Sequence, residues 1–218
     1  MANDGVHGWE LWVSDGTEAG TRLVKDIQAG SGSPGIYKTT DVEGRIFFRA
    51  DDGLHGPELW VSDGTAGGTH LVRDVLTGEA GGLDHSDWDL ASIGGRVFFG
   101  ANDGVRGTEL WVSDGTADGT RMAVDVRPGD KSSFPHDFQE LGDRFLFSAW
   151  SDGHGEEPWI SDGTPFGTAL LKDVLPGDRS SRPRYFLPFG ERVVFAATDK
   201  VYGRELWSTD GSSSGTTS

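Results

Sequence analysis

One eight-residue string constrains this chain more than anything else in it. Glu58-Leu59-Trp60-Val61-Ser62-Asp63-Gly64-Thr65 occurs again, unchanged, at 10–17 and at 109–116. A fourth copy at 157–164 has Pro158 and Ile160 in place of leucine and valine, and a fifth at 205–212 carries Ser208, Thr209 and Ser212. The tryptophans stand at 12, 60, 111, 159 and 207, so the steps are 48, 51, 48 and 48 residues. A unit of that size cannot bury its own apolar face and must stack on its neighbours, which is the signature of a propeller, solenoid or similar array.

The second unit sets the template. Alternating and apolar runs predict strands over 37–42, 45–50, 58–63 and 69–75, separated by Glu43-Gly44, by the loop 51–57 and by the Asp63-Gly64 turn. Four antiparallel strands per period make one propeller blade. The same reading gives strands over 9–14 and 21–27 in the first unit and 88–93, 96–101, 109–114 and 120–126 in the third. It gives 136–141, 144–149, 158–161 and 168–174 in the fourth, then 185–189, 192–197 and 205–210 in the last. No amphipathic helix is evident. The expected fold is all-β, a propeller of four-stranded antiparallel blades, as a single repeat domain over 1–218. Its units are approximately 1–35, 36–84, 85–134, 135–183 and 184–218, the first and last incomplete.

The strand count is uneven: four first and four second strands, five third strands, four fourth strands. One chain therefore supplies four blade equivalents, the last made from both termini, plus one surplus Glu-Leu-Trp strand. If the ring closes on itself, 205–210, which lost the consensus, is expected to be displaced to the outside or to pair with another chain. An excerpt of a longer array is the other reading. Met1 directly precedes Ala2-Asn3-Asp4-Gly5, a copy of 101–104, and reads as an added start residue on a processed piece.

Thirty-five acidic residues against 19 basic ones leave a formal charge of −16. That balance argues against nucleic acid, whose binders need a basic patch, and against an anionic membrane surface. No apolar run approaches the roughly 18 residues of a membrane span, so membrane insertion is not expected. With no cysteine, disulfide and thiol chemistry are excluded.

The intact strings resemble the bacterial ELWxxDGT repeat, a propeller-type repeat of secreted and surface proteins, and the likeness runs over nearly the whole chain. It implies a secreted or cell-surface setting and a binding or scaffold role, with no defined active site to carry over. The blade order is also similar to kelch repeats. Ser62-Asp63-Gly64-Thr65-x-x-Gly68-Thr69 resembles the Asp-box of sialidase blades, in which the aspartate holds the hairpin and not the substrate.

Candidate ligand residues lie in loops and blade connections. The loops between second and third strands carry Asp52 and His55, Asp103 and Arg106, and Asp152 and His154, each acid followed by glycine. Loops on a rigid scaffold commonly carry function; a solvated turn is the plainer explanation. The connection 84–88 gathers Asp84, His85, Asp87 and Trp88, two carboxylates, an imidazole and an aromatic ring, and is the best glycan candidate. The aspartates of the Ser-Asp-Gly-Thr turns, Asp15, Asp63, Asp114 and Asp162, could ligate Ca²⁺, but turn chemistry explains them without it. No cofactor and no zinc are expected, Ca²⁺ staying open as the alternative. The regular carboxylates, Glu10, Glu58, Glu109, Glu157 and Glu205 with Asp26, Asp74, Asp125 and Asp173, read as a network that holds blades together. No catalytic residue is assigned. The expected function is a non-catalytic extracellular module for a glycan or a protein. The alternatives are a scaffold that forms homo-oligomers through its unpaired terminal strand and, further off, a glycan-active hydrolase.

Overall fold

The structure is a computed structural model that describes residues 1–83 and 89–218. The described residues contain strands and turns and no helix, hence no helix long and apolar enough to cross a membrane. Five antiparallel sheets follow one another along the chain. The first holds β1 (Ala2–Asn3), β2 (Trp9–Val13) and β3 (Arg22–Lys25); the second β4 (Tyr37–Val42), β5 (Arg45–Asp51), β6 (Pro57–Ser62) and β7 (His70–Arg73). The third holds β8 (Ala91–Ile93), β9 (Arg96–Asn102), β10 (Thr108–Ser113) and β11 (Arg121–Val124). The fourth holds β12 (His136–Leu141), β13 (Arg144–Ser151), β14 (Gly155–Ser161) and β15 (Ala169–Leu170), and the last β16 (Arg184–Phe189), β17 (Arg192–Thr198) and β18 (Arg204–Thr209). Every sheet pairs its strands in chain order, as up-and-down blades do.

The repeat string makes its turn by local hydrogen bonds alone. Asp63 Oδ1 accepts the Thr65 N–H at 2.8 Å and its hydroxyl at 2.7 Å. The Thr65 hydroxyl accepts the Gly68 N–H at 3.0 Å, and the Thr69 hydroxyl donates to the Thr65 carbonyl at 2.7 Å. Gly68 is required, because a Cβ there would stand 2.1 Å from the Asp63 carboxylate. The other four copies repeat these bonds, Ser212 serving where threonine stood. The hydroxyl, not the methyl, is what the turn uses.

A second local device recurs on the inner strands. Lys38, Asp137 and Tyr185 sit at φ of 50°, 54° and 60°, and the register of each inner strand shifts between its first residue and the fourth. This β-bulge re-aims the residue that opens the strand. Tyr37, His136 and Arg184 occupy that place.

The chain divides into two compact units, 1–97 with 102–104 and 113–120, and 98–101 with 105–112 and 121–218. Within the first, Trp60 packs with Phe48, Ala50, Ile27 and Ile36, against Leu11 and Leu71. Within the second, Trp207 packs with Leu146, Ile160, Leu171, Phe186 and Phe195. Each cluster joins residues of two successive sheets, so the tryptophan of one blade is covered by the blade before it. Trp60, Trp111 and Trp207 are 5, 5 and 7 % exposed; Trp12 and Trp159 are half-buried.

The terminal strands correct one expectation. Among the described residues no sheet combines strands of both termini, and β18 is neither surplus nor displaced. It pairs β17 from Val193↔Thr209 to Thr198↔Arg204, and Thr217 bridges back to Ser208. The lost consensus residues did not matter, because Thr209 and Thr216 still join hydroxyls at 2.7 Å.

Candidate functional site

The loops predicted to hold ligands are largely occupied with their own bonds. Asp52 Oδ1 accepts the N–H groups of Leu54 and His55 at 2.9 Å each, and His55 Nδ1–H donates to Oδ2 at 2.8 Å. Burial pushes the Asp52 carboxyl up, but the His55 and Leu54 donors outweigh it and hold it below the usual range. The same bond raises His55. Asp4 and His7 copy the arrangement in the first blade, at 2.7 Å. In the fourth blade Asp152 faces Arg127 at 2.7 Å and Lys131 at 3.2 Å, while His154 Nδ1 donates to Asp173 at 2.8 Å. Asp103 and Arg106 stand in the corresponding loop between β9 and β10. Asp84, His85, Asp87 and Trp88 lie outside the described residues.

The repeated glutamates act as struts. Glu58 Oε1 accepts N–H bonds from Val75, Leu76 and Gly82 at 3.1, 3.0 and 2.7 Å. Glu109 and Glu157 likewise hold the loop after their own fourth strand, and each also accepts a serine hydroxyl at 2.7 Å, from Ser133 and Ser181. Burial raises the carboxyls of Glu58, Glu109 and Glu157 to about 7, and the charge of Asp74 adds to the effect at Glu58. These groups tie β-strand to connection inside each repeat.

Among the described residues one constellation is not repeated. His136 opens β12, Arg184 opens β16, and Glu156 lies near the start of β14, beside the end of β13. The Glu156 carboxylate, 4 % exposed, lies 3.2 Å from His136 Nε2 and bonds the Arg184 guanidinium. Asp137 is 3.7 Å from Arg184 Nε, and His136 Nδ1–H donates to the Phe134 carbonyl at 2.7 Å. Burial would push Glu156 up, yet His136 and Arg184 hold it below its ordinary value. Burial pulls His136 down, and its bonds to Glu156 and the Phe134 carbonyl more than reverse that. The inner-strand bulges aim this set, since His136 and Arg184 each precede the positive-φ residue. The arrangement offers a guanidinium and an imidazole held in place over a buried carboxylate, suited to orienting a polar ligand.

Sequence reasoning passed over His136, Asp137, Glu156 and Arg184. The signal was present as a departure from the repeat. Glu156 stands where other copies have Pro57 or Thr108, and His136 where the second unit has Tyr37.

No family model matches the chain, and no curated protein sequence does. Solved structures give the fold. A chain from a structural and mechanistic analysis of two prolyl endopeptidases aligns with a TM-score of 0.59 at 13% identity, covering 100% of this chain and 32% of that one. TolB from Acinetobacter baumannii aligns at 0.48 and 17%, covering 92% and 46%. A puromycin hydrolase mutant aligns at 0.49 and 16%, covering 86% and 29%. The chain thus spans less than half the length of these proteins. The first likeness carries the fold alone, and the fold is a propeller type.

Proposed function

We propose that the protein is a non-catalytic extracellular binding module whose ligand, a glycan or a protein surface, docks at the blade end bearing His136, Asp137, Glu156 and Arg184. One observation carries the reading. The other buried glutamates bond their own repeat, whereas Glu156 gathers side chains from three strands into a site that is unrepeated among the described residues. An array needs identical struts, and a ligand site needs one place that differs. Exposed Tyr185 follows Arg184 in the chain, and an aromatic ring near planar donors is the chemistry of sugar recognition. The ELWxxDGT resemblance supports the secreted or cell-surface setting.

The test is a glycan array and a set of purified surface proteins probed with wild type, His136→Gln and Arg184→Lys. A ligand found for wild type should weaken about tenfold or more in both variants, the loss of one charge-assisted bond, with melting temperature retained. A ligand that both variants bind unchanged sinks the assignment.

A specific observation favours the scaffold reading as runner-up. The last sheet exposes Leu187, Phe189 and Leu206 at 58, 70 and 66 %. Apolar groups of that size in water mark a surface for association. Concentration-dependent mass in sedimentation, abolished by Leu206→Ser, would support it.

A further inference from the structure

The junctions between successive repeats are built to one pattern, and one of them lacks a part. Lys25, near the end of the first blade, reaches into the second: its ammonium lies 5.9 Å from the centre of the Trp60 ring and donates to the Thr69 carbonyl at 2.6 Å. Lys172 repeats this between the fourth and last blades, 5.8 Å from the Trp207 ring and 2.7 Å from the Thr216 carbonyl. Arg73 makes the corresponding bond to the Thr120 carbonyl, at 2.7 Å. The repeat therefore has a fixed place for a cation, beside the tryptophan and on the carbonyl of the Gly-Thr turn. A cation held against an aromatic face and a carbonyl is favoured by both.

Between the third and fourth blades the strand position that carries Lys25, Arg73 and Lys172 holds no basic residue. The residue 99 positions after Lys25 and 48 before Lys172 is Val124. Beside it lies an open groove of about 580 Å³, lined by Val124, Met122, Pro165, Trp159 and Thr168, with Arg106 and Asp125 also on the wall. Trp159 and Thr168 are the counterparts of Trp60 and Thr69, 99 positions on. Trp159 is half-buried where Trp60 and Trp207 are buried, and no side chain among the described residues donates to the Thr168 carbonyl.

We propose that this groove receives the lysine side chain of a basic polypeptide partner. The methylenes lie along Met122, Val124 and Pro165, and the ammonium takes the place that Lys25 and Lys172 fill elsewhere, against Trp159 and the Thr168 carbonyl. The occupant is argued from the chain itself, which shows twice what this place holds when it is complete. Charge complementarity agrees: a formal charge of −16 draws a basic partner and disfavours an acidic one. The volume falls in the range of ordinary ligand pockets, about 300–1,000 Å³. This site is separate from the His136–Glu156–Arg184 constellation and does not depend on the function proposed for it.

The experiment follows the indole N–H signal of Trp159 by NMR, assigned with Trp159→Phe, during titration with a Gly-Gly-Lys-Gly-Gly peptide blocked at both ends. Expected is a saturable shift with a dissociation constant in the millimolar range, about that of a single anchored side chain. The same peptide with its lysine acetylated should leave the signal in place. Val124→Lys, which supplies the cation from within, should abolish the shift and raise the melting temperature. Equal shifts from both peptides, or no saturation with the lysine peptide, overturn the proposal. So does undiminished binding to a folded Val124→Lys protein. The peptide comparison uses wild type alone and holds whether or not that variant folds. Loss of binding in Val124→Lys but not in Arg184→Lys would keep this site distinct from the other.

Discussion

The second and last repeats carry the same three residues on equivalent strands, and the structure treats them differently. On β6, Glu58 and Leu59 are fully buried and Trp60 is 5 % exposed. On β18, Trp207 is 7 % exposed, but Leu206 is 66 % exposed and Glu205 lies open to solvent. Both strands pair the second strand of their blade along its length. The difference lies in what surrounds them. Tryptophan is covered by the preceding blade, which both repeats have. Leucine and glutamate are covered by the fourth strand and the connection after it, which β6 has in β7 and the loop to Gly82. Beside β18 there is a single bridge to Thr217. Three adjacent residues thus report on two different neighbours.

The largest test of that division is the tryptophan. Trp60→Ala and Trp207→Ala should each cost about 3–5 kcal/mol, because both leave a cavity in a filled cluster. Chemical denaturation reads the effect. A mild Trp207→Ala would break the comparison by showing that the last blade does not lean on the fourth. For the same reason, deleting 205–218 should destabilise the protein and not leave a well-folded monomer.

Leucine should separate the repeats where tryptophan does not. Leu59→Ala is expected to cost about 2–5 kcal/mol, and Leu206→Ala to stay within about 0.5 kcal/mol. Glutamate should follow with smaller values. Glu58→Ala strands three buried N–H groups, for about 1–3 kcal/mol, while Glu205→Ala should be near neutral. Equal losses at 58 and 205 would mean that the last repeat finds a covering partner in solution.

A pH series sharpens the same contrast. Glu58, Glu109 and Glu157 have carboxyls raised from 4.5 to about 7 by burial. The folded state therefore holds their protons more tightly than the unfolded one. The stability they contribute is complete below about 4.5 and is lost as pH rises through 7. Melting temperature should fall from pH 5 to pH 8, and Glu58→Gln, neutral at every pH, should flatten that slope. Glu205→Gln should leave it unchanged.

The smallest expected effect concerns the turns, which are alike in both repeats. Asp63 and Asp210 accept the same local donors, and those donors lower both carboxyls. Melting curves in millimolar Ca²⁺ and in EDTA should coincide. A rise of many degrees with Ca²⁺ would show that the aspartates serve a metal as well as the turn.

The string itself determined the blade. Its alternation, its Asp-Gly turn and its 48-residue period act over a few residues or between identical units, so the strand order and the hairpin bonds follow from sequence alone. Inner strands β4 and β12 carry the predicted bounds, while β15 shrank to Ala169–Leu170, because Pro158, which has no N–H to give, stands where Leu59 pairs the last residue of β7. What tertiary structure alone decided are the features that depend on which blade stands next. It set Glu58 and Glu205 apart although both begin Glu-Leu-Trp. It kept β18 in place although its consensus was lost, since pairing needs the backbone and hydroxyl groups that survived. It brought His136, Glu156 and Arg184 together from positions 20 and 28 residues apart, through bulges that no local pattern announces. It set Val124, unremarkable in a strand, on one groove with Trp159, where the corresponding residues Lys25 and Lys172 lie over Trp60 and Trp207. Repetition makes local structure legible, and the same repetition hides the proposed sites, because each lies where one repeat meets another and differs from it.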